Sequence, residues 1–146
     1  MGKINMTRVI LGGLLAGLIM NIGEAVLNMA ILGDDWQTAM QALGLSQMNF
    51  ASFGWYILMT FALGITMIWL YAVMRPKFGP GPKTAIITGL TIWFLMWVLS
   101  FGTTAVQGMF PAKIVLTTII WGFFEVPIGA LVGAWLYKEE ETAGKA

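Results

Sequence analysis

The chain has 146 residues, of which 58% are hydrophobic and only 10% are charged, and its formal net charge is +1. Soluble domains carry about 25% charged residues, so most of this surface must face a medium other than water. The absence of cysteine and histidine excludes disulfides, thiolate chemistry and imidazole metal sites, and the lack of a basic patch argues against a nucleic-acid partner. We therefore expect a single membrane domain over residues 1–146, with no cofactor and no bound metal.

Four apolar stretches are each long enough to cross the roughly 30 Å hydrocarbon core of a bilayer as a helix. They comprise approximately residues 9–32, 53–74, 84–106 and 114–137. Helices are required there, because hydrocarbon offers no partner to free backbone N–H and C=O groups. We therefore predict an all-α fold, an antiparallel four-helix transmembrane bundle in contact with the lipid bilayer.

The connection between the first and second predicted spans has the features of a short helix. Asp34 followed by Gln37 is typical of a capping box at a helix start. The residues that then share one apolar face are Trp36, Met40 and Leu43. This pattern predicts a short amphipathic interfacial helix that lies on the outer surface or covers the bundle.

The connection between the second and third predicted spans, residues 75–83, contains three prolines and two glycines. It is predicted to be a stiff, basic and non-helical turn. With both termini on one side of the membrane, only Lys113 among the eight basic residues falls on the other side. The positive-inside rule therefore predicts that both termini are cytoplasmic.

Deep tryptophans and scattered methionines suggest how the interior is filled. Four tryptophans lie well inside the predicted spans and are expected to pack between helices, namely Trp69, Trp93, Trp97 and Trp121. The eleven methionines raise the alternative of a copper(I) site with thioether ligands. Because they form no tight cluster in the sequence, filling irregular gaps between helices is the favoured interpretation.

Two glutamates, Glu24 and Glu125, lie inside the first and last predicted spans without a basic residue close by in the sequence. A charged group at the bilayer centre costs about 3 kcal/mol on insertion scales, so such residues usually have a function. Two nearby carboxyl groups in a medium of low dielectric cannot both ionise without a cation. We therefore predict that Glu24 and Glu125, with Asn21 and Asn28, bind a proton or an ion. The alternative is that protonated glutamates only hydrogen-bond across helices.

Small residues recur at helical spacing on the first and last predicted spans. They are Gly13 and Gly17 on the first span, and Gly122, Gly129 and Gly133 on the last. Small residues let two helix backbones approach closely, so these two spans are predicted to pack along the two stripes with their glutamates facing inward. Pro127 is predicted to kink the last span and to free a backbone carbonyl near Glu125.

The turn Gly33-Asp-Asp-Trp36, the later Ala42-Leu-Gly44 and the four-span layout resemble a family of small four-span bacterial membrane proteins with a domain of unknown function. The resemblance implies a location in the bacterial inner membrane. It implies no particular activity.

Two functions remain open at this point. The first is a small transporter or channel that handles protons or a cation through its two intramembrane glutamates. The second is an accessory or scaffold subunit of a larger membrane complex, or a homo-oligomer. An enzyme is not expected, because the three serines, at 46, 52 and 100, have no plausible base beside them in the sequence.

Overall fold

The computed structural model describes residues 3–45 and 50–139, without the side chains of residues 50 and 51; Ser46 and Lys145 lie outside the described residues. Helix α1, Met6–Ala25, continues as a π-helical segment, Val26–Ile31. Helix α2 covers Gly33–Ala42, and helix α3 covers Phe50–Phe78. Helix α4, Pro82–Trp93, continues as a second π-helical segment, Phe94–Phe101, and then as helix α5, Gly102–Val106. Helix α6 covers Ala112–Leu136.

Four of these helical stretches are long and apolar enough to cross a membrane. They are the first span, Met6–Ile31, the second, Ser52–Phe78, the third, Pro82–Val106, and the fourth, Ala112–Leu136. The first span packs against the second and the fourth, and the third packs against the fourth. The predicted all-α four-helix bundle with a short helix after the first span is therefore confirmed, and the protein is a multi-pass membrane protein.

The bundle is apolar inside and outside, as a lipid environment requires. Its interior is filled mainly by aliphatic side chains and two methionines, including Val9, Ala16, Met20, Met67, Ile68, Val126 and Ala130. Met20 and Met67 are fully buried and fill gaps as predicted, whereas other methionines are exposed and do not: Met6, Met29, Met59, Met96 and Met109. Large apolar side chains also cover the outer surface, where Trp135 is 78% exposed. Trp69, predicted to pack between helices, is largely exposed, and that prediction was wrong.

The two ends of the bundle differ in what closes them. The end that carries residues 3–5, the turn after α3 and Tyr137–Glu139 is called the terminal face. The opposite end is called the lid face, because α2 lies across it and buries Leu32 and Ala39 against Leu27 and Ile114. Of the two positions predicted for the short helix, covering the bundle is the one observed.

Two local predictions were wrong. Helix α3 continues through Pro76 to Phe78, although residues 75–83 were predicted to be non-helical. A proline in the last turn of a helix removes only one hydrogen bond, and the chain reverses instead at Gly79 and Gly81, whose φ angles are +83° and +119°. The capping box is also absent, because α2 begins at Gly33 after Leu32, which offers no side-chain cap.

Candidate functional site

A chain of hydrogen bonds connects the lid to the first glutamate. Glu24 lies near the end of α1, one turn before Asn28 in the π-helical segment. The Asn28 side-chain amide donates to Oε2 of Glu24 at 2.7 Å and to the Glu24 backbone carbonyl at 2.9 Å. The side-chain oxygen of Asn28 accepts from Nε1 of Trp36 on α2 at 2.8 Å. The carboxyl of Glu24 is thereby oriented by a group that also holds the lid.

Glu125 lies opposite, on the fourth span, and is only 7% exposed. Its carboxyl rests on Gly23 of the first span, in space that any Cβ at residue 23 would fill. Neither of its oxygens accepts a well-formed hydrogen bond from the residues that the structure describes, and the groups near enough to act on it include the carboxyl of Glu24 and the indole of Trp121. Two carboxylates in a medium of low dielectric repel each other, whereas a proton or a cation between them makes the contact attractive.

Further polar atoms without a partner lie on the same face of α6. The buried hydroxyl of Thr118 and the indole N–H of Trp121 make no well-formed hydrogen bond within the described part of the chain. The Trp121 indole lies close enough to Glu125 to act on its carboxyl, but not in hydrogen-bond geometry. Residues 118, 121 and 125 recur at steps of three and four, so they face one way. Buried polar groups normally have partners, and a cluster of unpaired ones is typical of a site that takes a ligand, an ion or water.

Both π-helical segments lie at this level of the bundle. The first follows Glu24 directly and includes the bond from the Leu32 amide to the Leu27 carbonyl, at 2.8 Å. The second carries Trp97, whose ring packs on Gly122, so that a Cβ at Gly122 would lie 2.7 Å from the ring. Such segments are uncommon and occur frequently at functional sites.

The lid is held over this centre by aromatic contacts and one ion pair. The Trp36 ring meets Phe110 edge-on at 5.1 Å between centroids and Phe101 at 6.4 Å. Beside it, Nζ of Lys113 lies 2.7 Å from Oδ2 of Asp35. Helix α2 is therefore attached to the first span, to the third span and to the start of the fourth.

The structure does not bring all the predicted site residues together. Asn21 lies outside the centre, because its side-chain amide donates to the Gly17 carbonyl at 2.9 Å and to Ile57 of the second span at 3.5 Å. Gly13 and Gly17 likewise face the second span at Ile65 and Phe61. The prediction that this stripe contacts the fourth span was therefore wrong.

A neighbouring face of the first span makes the contact with the fourth. A Cβ at Gly12 would lie 2.5 Å from the carbonyl oxygen of Gly133, and one at Gly129 would lie 3.1 Å from Met20. Gly129 and Gly133 thus pack on the first span as predicted, whereas Gly122 packs on the third. The sequence carries small residues in doublets, Gly12-Gly13 and Ala16-Gly17, so two stripes were possible and spacing could not separate them.

Pro127, the other feature predicted on the fourth span, lies at a contact with the third span. Helix α6 runs without interruption through Pro127, and Gly89 of the third span packs there, with a Cβ position 2.7 Å from the Pro127 Cα. Pro127 therefore lies where the third and fourth spans approach closely, and the kink predicted there stays a prediction.

The acidic centre contains two carboxyl groups, and the described residues include no group of three or more acidic, histidine or cysteine side chains that could hold a metal ion. Its neighbours are the amide of Asn28 and the indole of Trp121, and the hydroxyl of Thr118 lies further along the same face of α6. The sequence did not associate Trp36 and Trp121 with the glutamates, because the two tryptophans are far apart in the chain and only the fold brings them to the acidic centre.

A comparison with protein-family models finds none that matches this chain. Searches against curated proteins and against solved structures also find no match. Of the resemblance to small bacterial membrane proteins, only the four-span helical architecture is therefore shown.

Proposed function

We propose that this protein is a small proton- or cation-linked transporter of the bacterial inner membrane, with Glu24 and Glu125 as its binding groups. The observation that carries the proposal is the buried carboxyl of Glu125, which lies beside the carboxyl of Glu24 and accepts no well-formed hydrogen bond from the described residues. Neither glutamate belongs to an ion pair among the described residues, whose ion pairs are Arg75–Glu139 and Lys113–Asp35. A proton or a cation supplies the missing positive charge.

Access to this site is proposed to be from the lid face. The glutamates lie in the half of the bundle nearer α2, where α2 and the residues on which it packs, among them Leu27 and Ile114, close that end. Toward the terminal face the interior is filled by apolar side chains such as Met20, Met67 and Val126. With the terminal face proposed to be cytoplasmic, ions enter from the periplasmic side when α2 moves.

Infrared difference spectroscopy tests the proposal on the purified protein in lipid. The C=O band of the protonated carboxyls is followed across pH, with and without added sodium or potassium, in wild type, Glu24→Gln and Glu125→Gln. Asp34→Asn is the matched control, because Asp34 is exposed on α2 outside the centre. We expect a band that titrates or responds to one cation, and that disappears in both glutamine variants but not in the control.

A different spectroscopic result would contradict the transporter proposal. A carboxyl band that stays constant at every pH and with every cation would make the glutamates structural, and the transporter proposal would be abandoned. If the band does respond, proton flux into liposomes that contain Glu24→Gln, Glu125→Gln or Asp34→Asn provides the functional readout.

A second candidate, a subunit of a homo-oligomer or of a larger membrane complex, is favoured by one specific surface. The part of the second span nearest the lid face is almost entirely exposed, including Trp55 and Leu58, and Gly54 has open space around it. Close approach of another helix at a small residue is a common mode of packing in membranes. Mass measurement in lipid nanodiscs distinguishes a monomer from an assembly, and replacing Gly54 by Leu should dissociate an assembly formed there.

A further inference from the structure

A second polar cluster lies at the terminal face, at the end of the bundle opposite the glutamates. This arginine cluster consists of Tyr71, Arg75, Tyr137 and Glu139. The guanidinium carbon of Arg75 lies 5.8 Å from the Tyr71 ring centroid and 5.1 Å from that of Tyr137. The two rings meet edge-to-face at 5.9 Å. The aromatic contacts hold the cation in a fixed orientation where the second span meets the end of the fourth.

This cluster contains hydrogen-bond donors that lack acceptors. Among the described residues, Nε of Arg75 and the hydroxyl of Tyr137 are buried without a hydrogen-bond partner, and Nη1 of Arg75 has only the ion-pair contact with Glu139. Tyr137 is only 5% exposed. The Tyr71 hydroxyl, in contrast, accepts from the Gly81 amide at 3.1 Å. Leaving buried donors unpaired is costly, above all on a charged group. The three donors therefore require an acceptor, and an anionic one suits them best.

Glu139 satisfies this requirement poorly. Its Oε1 lies 3.4 Å from Nη1 of Arg75, and the two side chains are 37% and 16% exposed respectively. Strong arginine–anion pairs are shorter and use two parallel N–H donors. Glu139 follows the end of α6, so a stronger anion can displace it without disturbing a span.

We propose that the arginine cluster binds a phosphate group, carried either by an anionic phospholipid headgroup or by free phosphate. The planar guanidinium offers paired N–H donors that match phosphate oxygens, and the Tyr137 hydroxyl supplies a third donor. Exposed lysines on the same face, Lys77, Lys83 and Lys138, attract an anionic headgroup to this end. The bound phosphate takes the place of the Glu139 carboxylate. This site is independent of the glutamate centre.

Native mass spectrometry with phosphatidylglycerol, and calorimetric titration with inorganic phosphate, test the proposal on the full chain. Tyr137→Phe removes one donor and keeps the ring, so we expect binding to weaken about tenfold. Tyr56→Phe is the matched control, because Tyr56 lies exposed near the other end of the second span, and it should change nothing. Glu139→Gln removes the competing carboxylate and should strengthen binding about threefold.

The two ligands separate the sources of the phosphate group. Saturable binding of phosphatidylglycerol alone, with these effects, assigns the site to a lipid headgroup. Saturable binding of inorganic phosphate with the same effects assigns it to a soluble anion. If neither ligand binds saturably, or if Tyr56→Phe weakens binding as much as Tyr137→Phe, the cluster is only a structural contact and the proposal is overturned.

Discussion

Trp36 and Asn28 are joined by a hydrogen bond of 2.8 Å from the indole N–H to the side-chain oxygen, and Asn28 also donates to the Glu24 carboxyl. One amide side chain therefore contacts both the lid and the acidic centre. A change in the charge of Glu24 alters the strength of its bond from Asn28, because hydrogen bonds to a charged acceptor are stronger than those to a neutral one. The position of α2 is thereby connected to the state of the glutamates.

Replacing Trp36 by Phe keeps a large ring but removes the donor to Asn28. We expect the lid to open more readily by about 1 kcal/mol, which corresponds to about fivefold faster amide exchange in α2. Hydrogen exchange followed by mass spectrometry measures this directly. Trp135→Phe, at an exposed position, should leave α2 unchanged. Equal exchange in all three proteins would show that the hydrogen bond does not hold the lid.

The ion pair between Asp35 and Lys113 should contribute less, since both side chains are partly exposed. Asp35→Asn is expected to weaken the lid by no more than about 1 kcal/mol at low salt, and by less at high salt. Asp34→Asn provides the control, because both aspartates lie in the first turn of α2 and share its dipole interaction. Amide exchange at two salt concentrations gives the difference. A salt-independent effect would contradict the assignment to an ion pair.

The variant Thr118→Val tests whether the Thr118 hydroxyl lacks a hydrogen-bond partner in the folded protein. Because the Thr118 hydroxyl has no partner among the residues described, its removal should leave the free energy of unfolding unchanged or raise it by up to about 1 kcal/mol. Thr88→Val is the comparison, since that buried hydroxyl donates to the Thr84 carbonyl at 2.8 Å, and its loss should cost roughly 0.5–1 kcal/mol. Unfolding in mixed detergent micelles measures both. A larger loss in Thr118→Val than in Thr88→Val would mean that its hydroxyl is already bonded.

Two glycines of the second span, one packed and one open, allow a matched test of how closely the first two spans approach. A Cβ at Gly64 would lie 2.7 Å from the backbone nitrogen and 3.0 Å from the Cα of Gly17, whereas Gly54 has nothing within 4 Å. Gly64→Ala should therefore lower the free energy of unfolding by about 2 kcal/mol. Gly54→Ala should be neutral or stabilising by up to about 1 kcal/mol, because alanine favours helix. Similar losses at both sites would contradict the close approach of the first two spans.

The number of spans and the all-α class could be predicted because hydrocarbon allows the backbone few solutions. The boundaries of individual helices depend on weaker effects and were harder to predict from the sequence. Pro76 lies near enough to the end of α3 to cost a single hydrogen bond, so the helix continues past it to Phe78. The exposure of Trp69 was also beyond prediction, since in lipid a tryptophan is stable on either side of a helix.

The candidate site likewise has features that could be predicted from the sequence and features that could not. The depth of Glu24 and Glu125 could be estimated from the rise of a helix, and the absence of a nearby basic residue could be read directly. The rotation of the first span about its own axis could not be predicted, because Gly12-Gly13 and Ala16-Gly17 give the helix two faces of small residues. The π-helical segments leave no mark in the sequence either, although the first of them carries Asn28, which bonds to Trp36.

The length of the second span, 27 residues from Ser52 to Phe78, has a consequence for the membrane itself. At about 1.5 Å per residue such a helix is about 40 Å long, roughly 10 Å more than the hydrocarbon thickness of an average bilayer. The excess is accommodated by tilting or by emergence of the helix end among the headgroups. Arg75 and Lys77 lie in its last turn, so the thickness of the surrounding membrane determines how far this basic end extends among the headgroups.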